Sequence, residues 1–143
     1  MIKTATSSLG LTLALVLAST VARAAPPVSV SVCELIAHPK LYRQKLLEVR
    51  GVIESDGADR TVLSERRCRG SIPLILSDEA LQRPGGARVA DAIFHEGYVG
   101  TADKTISATV LGVLKWDPTR SLLARDLVAV DIRHHAAAVD RQR

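Results

Sequence analysis

The residues of this chain that carry chemistry are two cysteines, four histidines and a scatter of carboxylates and arginines. Cys33 and Cys68 would close a loop of about 36 residues, worth roughly 4 kcal/mol on loop-closure entropy. They lack the Cys-x-x-Cys spacing of a redox pair, and no histidine stands near either at a familiar zinc-ligand spacing. In an oxidising compartment an isolated pair forms a disulfide. His38 precedes Pro39 and His95 falls in the last turn of an expected helix, where a cation near a helix C-terminus is favourable. His134 and His135 close the last expected strand, with Asp131 as the nearest further metal ligand, and read as solvated residues. No Gly-x-Ser-x-Gly motif occurs, and Gly70-Ser71 runs into Ile72-Pro73 as the start of a strand. Glu54, Asp56, Asp59 and Glu65 gather around one hairpin without the Asp-x-Asp-x-Asp-Gly spacing of a calcium loop, so they read as an acidic, solvated tip. Gly85, Gly86, Gly97 and Gly100 do not compose a phosphate-cradling loop. The expectation is no catalytic set, no metal and no cofactor.

The elements that hold these residues follow from local pattern. Ser31 and Glu34 have the form of a capping box, which places Cys33 on a short helix ending before Pro39; Pro39 to Tyr42 adds a turn. From Lys45 to Ser55 the apolar Leu47, Val49 and Ile53 alternate with Glu48, Arg50 and Glu54, a strand whose Gly51 suggests a bulge or bend. Asp56 to Asp59 is a turn, and a second strand runs back over Thr61 to Glu65. A third strand covers Ser71 to Leu76, with Pro73 favouring an edge or bulge. Ser77-Asp78-Glu79 caps a helical turn, Pro84-Gly85-Gly86 reads as a break, and Ala87 to Glu96 as a helix stopped by Gly97. Thr105 to Trp116 is the clearest strand, with Gly112 in the role of Gly51. Asp117-Pro118 turns the chain into a last strand over Leu122 to Arg133.

Residues 1–24 read as a cleavable signal peptide: Lys3, an apolar run from Leu9 to Ala18, then Ala22-x-Ala24, with cleavage expected after Ala24. The run of about 10 residues is half of the roughly 20 needed to span a bilayer, so no transmembrane segment is expected after cleavage. The residues before Cys33 lack a lipidation pattern. Loss of Lys3 and Arg23, with no acid among residues 1–24, takes the net charge from +4 to about +2. Residues 25–135 then form one domain and residues 136–143 a tail.

A helix, three meandering strands, a linking helix and a final strand pair is the order of the OB-fold, a five-stranded Greek-key barrel. The expected fold is therefore mainly β with short helices, an OB-like barrel behind a short N-terminal helix; an open α+β sheet is the rival. The chain also resembles a group of small, exported, largely uncharacterised bacterial proteins with an OB-like domain. The resemblance rests on Ser31 to Leu35, Pro39 with Tyr42, Val49-Arg50-Gly51, Glu54, Cys68, Pro73-Leu74 and Lys104 to Gly112. It implies a fold and a compartment and no activity.

In OB-folds ligands meet the second and third strands and the hairpin loops. The exposed polar positions this suggests are Arg50, Glu54, Arg66, Arg67 and Lys115, with Trp116 and Tyr98 as stacking platforms. Phe94 reads as core and Tyr42 as packed near the first helix. With 3% aromatic residues, a small mature charge and the export signal, nucleic acid is not an expected partner. The leading expectation is a non-enzymatic periplasmic or secreted binding module with an envelope ligand or protein as its partner. The alternatives are an enzyme assembled from His95, Asp91, Glu54 and Asp131, and a structural interaction module. The cluster Arg66-Arg67-Cys68-Arg69 reads as a surface loop.

Overall fold

The computed structural model describes residues 24–57, 60–94, 105–116 and 125–138; for residues 105, 116, 125 and 134–138 it describes the backbone alone. The expected signal segment up to residue 23, the turn expected at Asp117-Pro118, His95, Gly97 and Tyr98 lie outside these residues.

The elements are β1 (Val28–Ser31), α1 (Val32–Ala37), α2 (Pro39–Tyr42), β2 (Leu46–Ser55), β3 (Thr61–Ser64), β4 (Ser71–Leu76), α3 (Asp78–Gln82), α4 (Pro84–Phe94), β5 (Thr105–Trp116) and β6 (Arg125–Ala138). β2, β3 and β4 meander antiparallel, β4 pairs parallel with β6, β6 pairs antiparallel with β5, and β5 returns to β2. That ring closes a five-stranded barrel with the OB-fold order. Its interior is filled mainly by alternate residues of the long strands: Leu47, Val49 and Ile53 from β2, Ala108, Val110 and Leu114 from β5, Leu127, Ala129 and Ile132 from β6, all nearly or fully buried. α1 adds Val32 and Leu35 and α4 adds Val89 and Ile93 to the same core.

Local chemistry sets the helix ends. The Ser31 hydroxyl accepts the Glu34 N–H at 3.1 Å, which is half of a capping box; the Glu34 carboxylate instead accepts the Tyr42 hydroxyl. Ser77 accepts the Ala80 N–H at 3.2 Å to cap α3 and donates to the Ala129 carbonyl at 2.6 Å, which pins α3 to β6.

Several expectations are corrected. The helix begun at Asp78 does end before Pro84, at Gln82 with an extended Arg83, but the next one starts at Pro84 and not at Ala87: Pro84, Gly85 and Gly86 are its first turn, where proline's missing N–H has no helical partner to lose. Phe94 is 62% exposed, because Val89 and Ile93 already occupy the buried stripe of α4. Gly51 introduces no register break between β2 and β5, whereas Gly112 lies at a shift of the β5–β6 register. β6 continues to Ala138, past the expected strand end at Arg133, because Ala137 and Ala138 pair with Ile106 and Thr105. β1 was not expected at all. It pairs parallel with β2, from Val28 opposite Leu47 to Ser31 opposite Arg50.

Candidate functional site

β2 has two edges. One carries β5 along almost its whole length. The other is shared: β1 lies against Leu47 to Arg50, and β3 lies against Val52 to Ser55. Gly51 is the residue between, paired on this edge with neither strand. β3 arrives at Val52 and its chain then leaves the sheet through Glu65 to Cys68, because β1 already occupies the next places on β2. The two strands thus fork, and an open groove of about 760 Å³ lies in the fork.

Each side of the groove comes from a definable element. Ser29 to Ser31 of β1 form one wall and Ser64 to Arg67 the other. The outer face of β2 supplies Glu48, Arg50 and Val52, and β5 supplies Ser107 and the buried Thr109. These are the positions that alternate with the core residues of the same strands, so the alternation that fills the barrel also aims them outward. Cys33 and Cys68 form a disulfide with their Cα atoms 5.6 Å apart, within the usual range. The bridge ties the two walls together, since Cys33 lies two residues after Ser31 and Cys68 directly follows Arg67. The Cys33 N–H also donates to Glu65 Oε2 at 3.5 Å.

The groove is lined by three carboxylates, Glu34, Glu48 and Glu65, and three guanidinium groups, Arg50, Arg66 and Arg67. Glu34 accepts from Tyr42, Glu48 faces Arg133 Nη1 at 3.7 Å, and Glu65 faces Arg67 Nε at 3.5 Å while holding Cys33. The side chains of Arg50 and Arg66 have no ion-pair or hydrogen-bond partner among the described residues, and both are exposed. The formal charges of the lining cancel, and Arg50 and Arg66 are the cations in it that no described carboxylate engages.

Of the residues expected to meet a ligand, the fold brings Arg50, Arg66 and Arg67 to this one groove. Glu54 stands beside it on the same face of β2 and accepts the Ser64 hydroxyl at 2.7 Å. Lys115 lies six residues beyond Thr109 on β5, about 20 Å along an extended strand, opposite Asp126. The Trp116 side chain falls outside what is described. Ser29, Ser31, Glu34, Glu48, Ser107 and Thr109 were not expected at a site. The signal for the first two was the Val28-Ser29-Val30-Ser31 alternation, too short to read as a strand alone.

A second, smaller groove of about 420 Å³ lies over β3 and β4, the strands that OB-folds use for ligands. It is lined by Val62, Pro73 and Ile75 with Arg60 and Asp126, and among the described side chains none of the expected ligand residues lines it. Neither groove takes in Glu54, Asp91 or Asp131, the described members of the alternative enzymatic set. Among the described residues no three His, Cys, Asp or Glu side chains gather as metal ligands would, and no helix is long and apolar enough to cross a membrane.

Comparison of the chain with protein-family models, with curated proteins and with solved structures finds no match.

Proposed function

We propose that this protein is an exported, periplasmic binding module rather than an enzyme, and that its ligand occupies the groove at the β1–β3 fork. The observation that carries this reading is the pair Arg50 and Arg66, without a partner among the described residues, on a groove whose carboxylates are already engaged. Guanidinium groups left without partners favour a ligand that presents carboxylate or phosphate oxygens, which they bind bidentately. The hydroxyls of Ser29, Ser31 and Ser107 on the same groove add neutral hydrogen-bonding capacity. Export is supported by the three-part signal pattern of residues 1–24 and agrees with a disulfide, which persists in oxidising compartments. On this reading the chain is one of the small exported OB-like bacterial proteins that it resembles.

The test is affinity capture from envelope extract with the wild-type protein and with a doubly charge-reversed variant, Arg50→Glu and Arg66→Glu. Both side chains are exposed, so the variant should fold as the wild type does. A ligand retained by the wild type and lost by the variant is the expected result. Equal retention by both proteins would remove the groove from consideration.

A further inference from the structure

The turn between α2 and β2 differs from the groove in chemistry and in exposure. Pro39 is buried and Tyr42 packs against the core, and these two residues anchor the turn to the barrel. The residues around Tyr42 face solvent: Lys40 and Leu41 before it, Arg43, Gln44, Lys45 and Leu46 after it. Leu41 is 61% exposed and Leu46 36%. Gln44 takes the left-handed backbone conformation at φ 61°, and the Lys45 N–H donates to the Tyr42 carbonyl at 3.3 Å, which closes the turn. The Lys45 ammonium lies 5.9 Å from the centre of the Tyr42 ring, within cation–π range. Lys40, Arg43 and Lys45 are three cations in six residues, and residues 35–47 contain no Asp or Glu. The acids that bound this stretch are both engaged, Glu34 by Tyr42 and Glu48 by Arg133. Lys115 adjoins Leu114, the bridge partner of Arg43, but pairs across the sheet with Asp126 and adds no net charge.

We propose that this turn docks on a bilayer surface that carries anionic phospholipids, with Leu41 and Leu46 entering the boundary between headgroups and acyl chains. Lys40, Arg43 and Lys45 then meet the lipid phosphates. Single exposed leucines are ordinary on a protein surface. Here two of them flank a run of cations that no acid in the same stretch balances. A bilayer surface satisfies both parts, because binding there grows with the apolar area buried and with attraction to anionic lipid. A purely acidic partner would answer the cations and leave the leucines in water. Lysine and arginine stems are long enough to keep their charges at the headgroups while the leucines sit deeper, and tyrosine is enriched at that depth. Such docking is peripheral and needs no membrane-spanning helix. It is independent of the ligand in the groove at the β1–β3 fork, so either reading can fail alone.

The test is co-sedimentation of the disulfide-bonded protein, purified from the envelope, with vesicles of phosphatidylglycerol and phosphatidylcholine in equal parts or of phosphatidylcholine alone. Binding to the mixed vesicles is expected to exceed binding to the neutral ones at least about tenfold. It should fall as salt is raised from about 0.1 M to about 1 M, where the screening length drops from about 10 Å to about 3 Å. Arg43→Glu with Lys45→Glu should weaken it about 25-fold or more, since each cation at such a surface strengthens binding about fivefold. Leu41→Ser should weaken it about tenfold, from the apolar area no longer buried. All three side chains are exposed, so these variants should keep the wild-type denaturation midpoint. Wild type and variants carry the same N-terminus, so a contribution from the apolar run Leu9 to Ala18, where it is retained, cancels between them. Equal binding to neutral vesicles, no binding of the wild type to either kind, or indifference to the turn variants would overturn the proposal. Loss of vesicle binding in Arg50→Glu with Arg66→Glu but not in the turn variants would move the lipid to the groove and overturn it too. Vesicles left unbound while an acidic protein is held through Arg43 and Lys45 would assign the turn to that protein and likewise overturn the bilayer.

Discussion

A Cβ at Gly51 would stand 2.7 Å from the Ser64 carbonyl oxygen and 2.9 Å from Leu63 Cγ, at the point where the edge of β2 passes from β1 to β3. Only glycine lets β3 approach that closely. Gly51→Ala is expected to cost about 1–3 kcal/mol by overpacking, read as a lower denaturant midpoint, and to displace the Ser64 to Arg67 wall. The same scale gives a pH effect. The hydrogen bond to Glu34 raises the Tyr42 phenol above its usual 10.0, with partial burial and the Glu34 charge acting in the same direction. Because the folded value is raised, the contribution of this contact is complete below pH 10.0 and is lost as pH rises through the folded value. In spectroscopic titration Tyr42 should ionise above 10.0, and Glu34→Gln should bring its midpoint back down. At this scale the sequence was partly legible. Ser31 as a cap and the Cys33–Cys68 pair follow from residue type and position. The engagement of Glu34 by Tyr42 and of Glu48 by Arg133 does not, since the first pair lies eight positions apart in the chain and the second meets across β5, which pairs with both β2 and β6.

Elements succeed or fail by how they pack, and α4 is the instructive case. Proline and two glycines in a row are ordinarily punctuation, and they suggested a break. In the fold Pro84 opens the helix, while a Cβ at Gly85 would fall 1.6 Å from the Ile132 carbonyl oxygen and one at Gly86 would fall 1.9 Å from that of Ala80. The glycines are there so that α4 can lie directly on the backbones of β6 and α3. Local propensity disfavours them in a helix by up to about 1 kcal/mol each; tertiary packing overrides that preference. Gly85→Ala should therefore destabilise the domain by about 3 kcal/mol or more, whereas the exposed Ala87→Gly should cost about 1 kcal/mol, both from chemical denaturation. The strands were easier to read. β2, β4 and β5 alternate over enough residues for the period of two to declare itself. β1, with four residues, is too short, and its pairing with β2 is fixed by a parallel contact that no local pattern encodes.

On the scale of the molecule, the order of elements was sufficient for the barrel, because three meandering strands, a linking helical segment and two long final strands leave few ways to close a ring. The groove was not legible, because it arises from the competition of two strands for one edge of β2. The disulfide joins the two competitors. It spans 35 residues of sequence, and its removal in a Cys33→Ser, Cys68→Ser double variant should cost about 4 kcal/mol by releasing the unfolded chain. The same variant should free the Glu65 to Arg67 wall from β1, visible as faster amide hydrogen exchange there than in β5. The central claim is that a partner occupies the fork between β1 and β3 rather than the β3–β4 face where OB-folds bind. Site-specific photo-crosslinking in the envelope tests it most directly, with the crosslinker placed at Ser29 on the fork or at Ile75, which is 45% exposed, on the β4 face. An adduct from position 29 that disappears when Arg50 and Arg66 are reversed to glutamate is expected, and none from position 75. An adduct from position 75 with none from position 29 would contradict the claim.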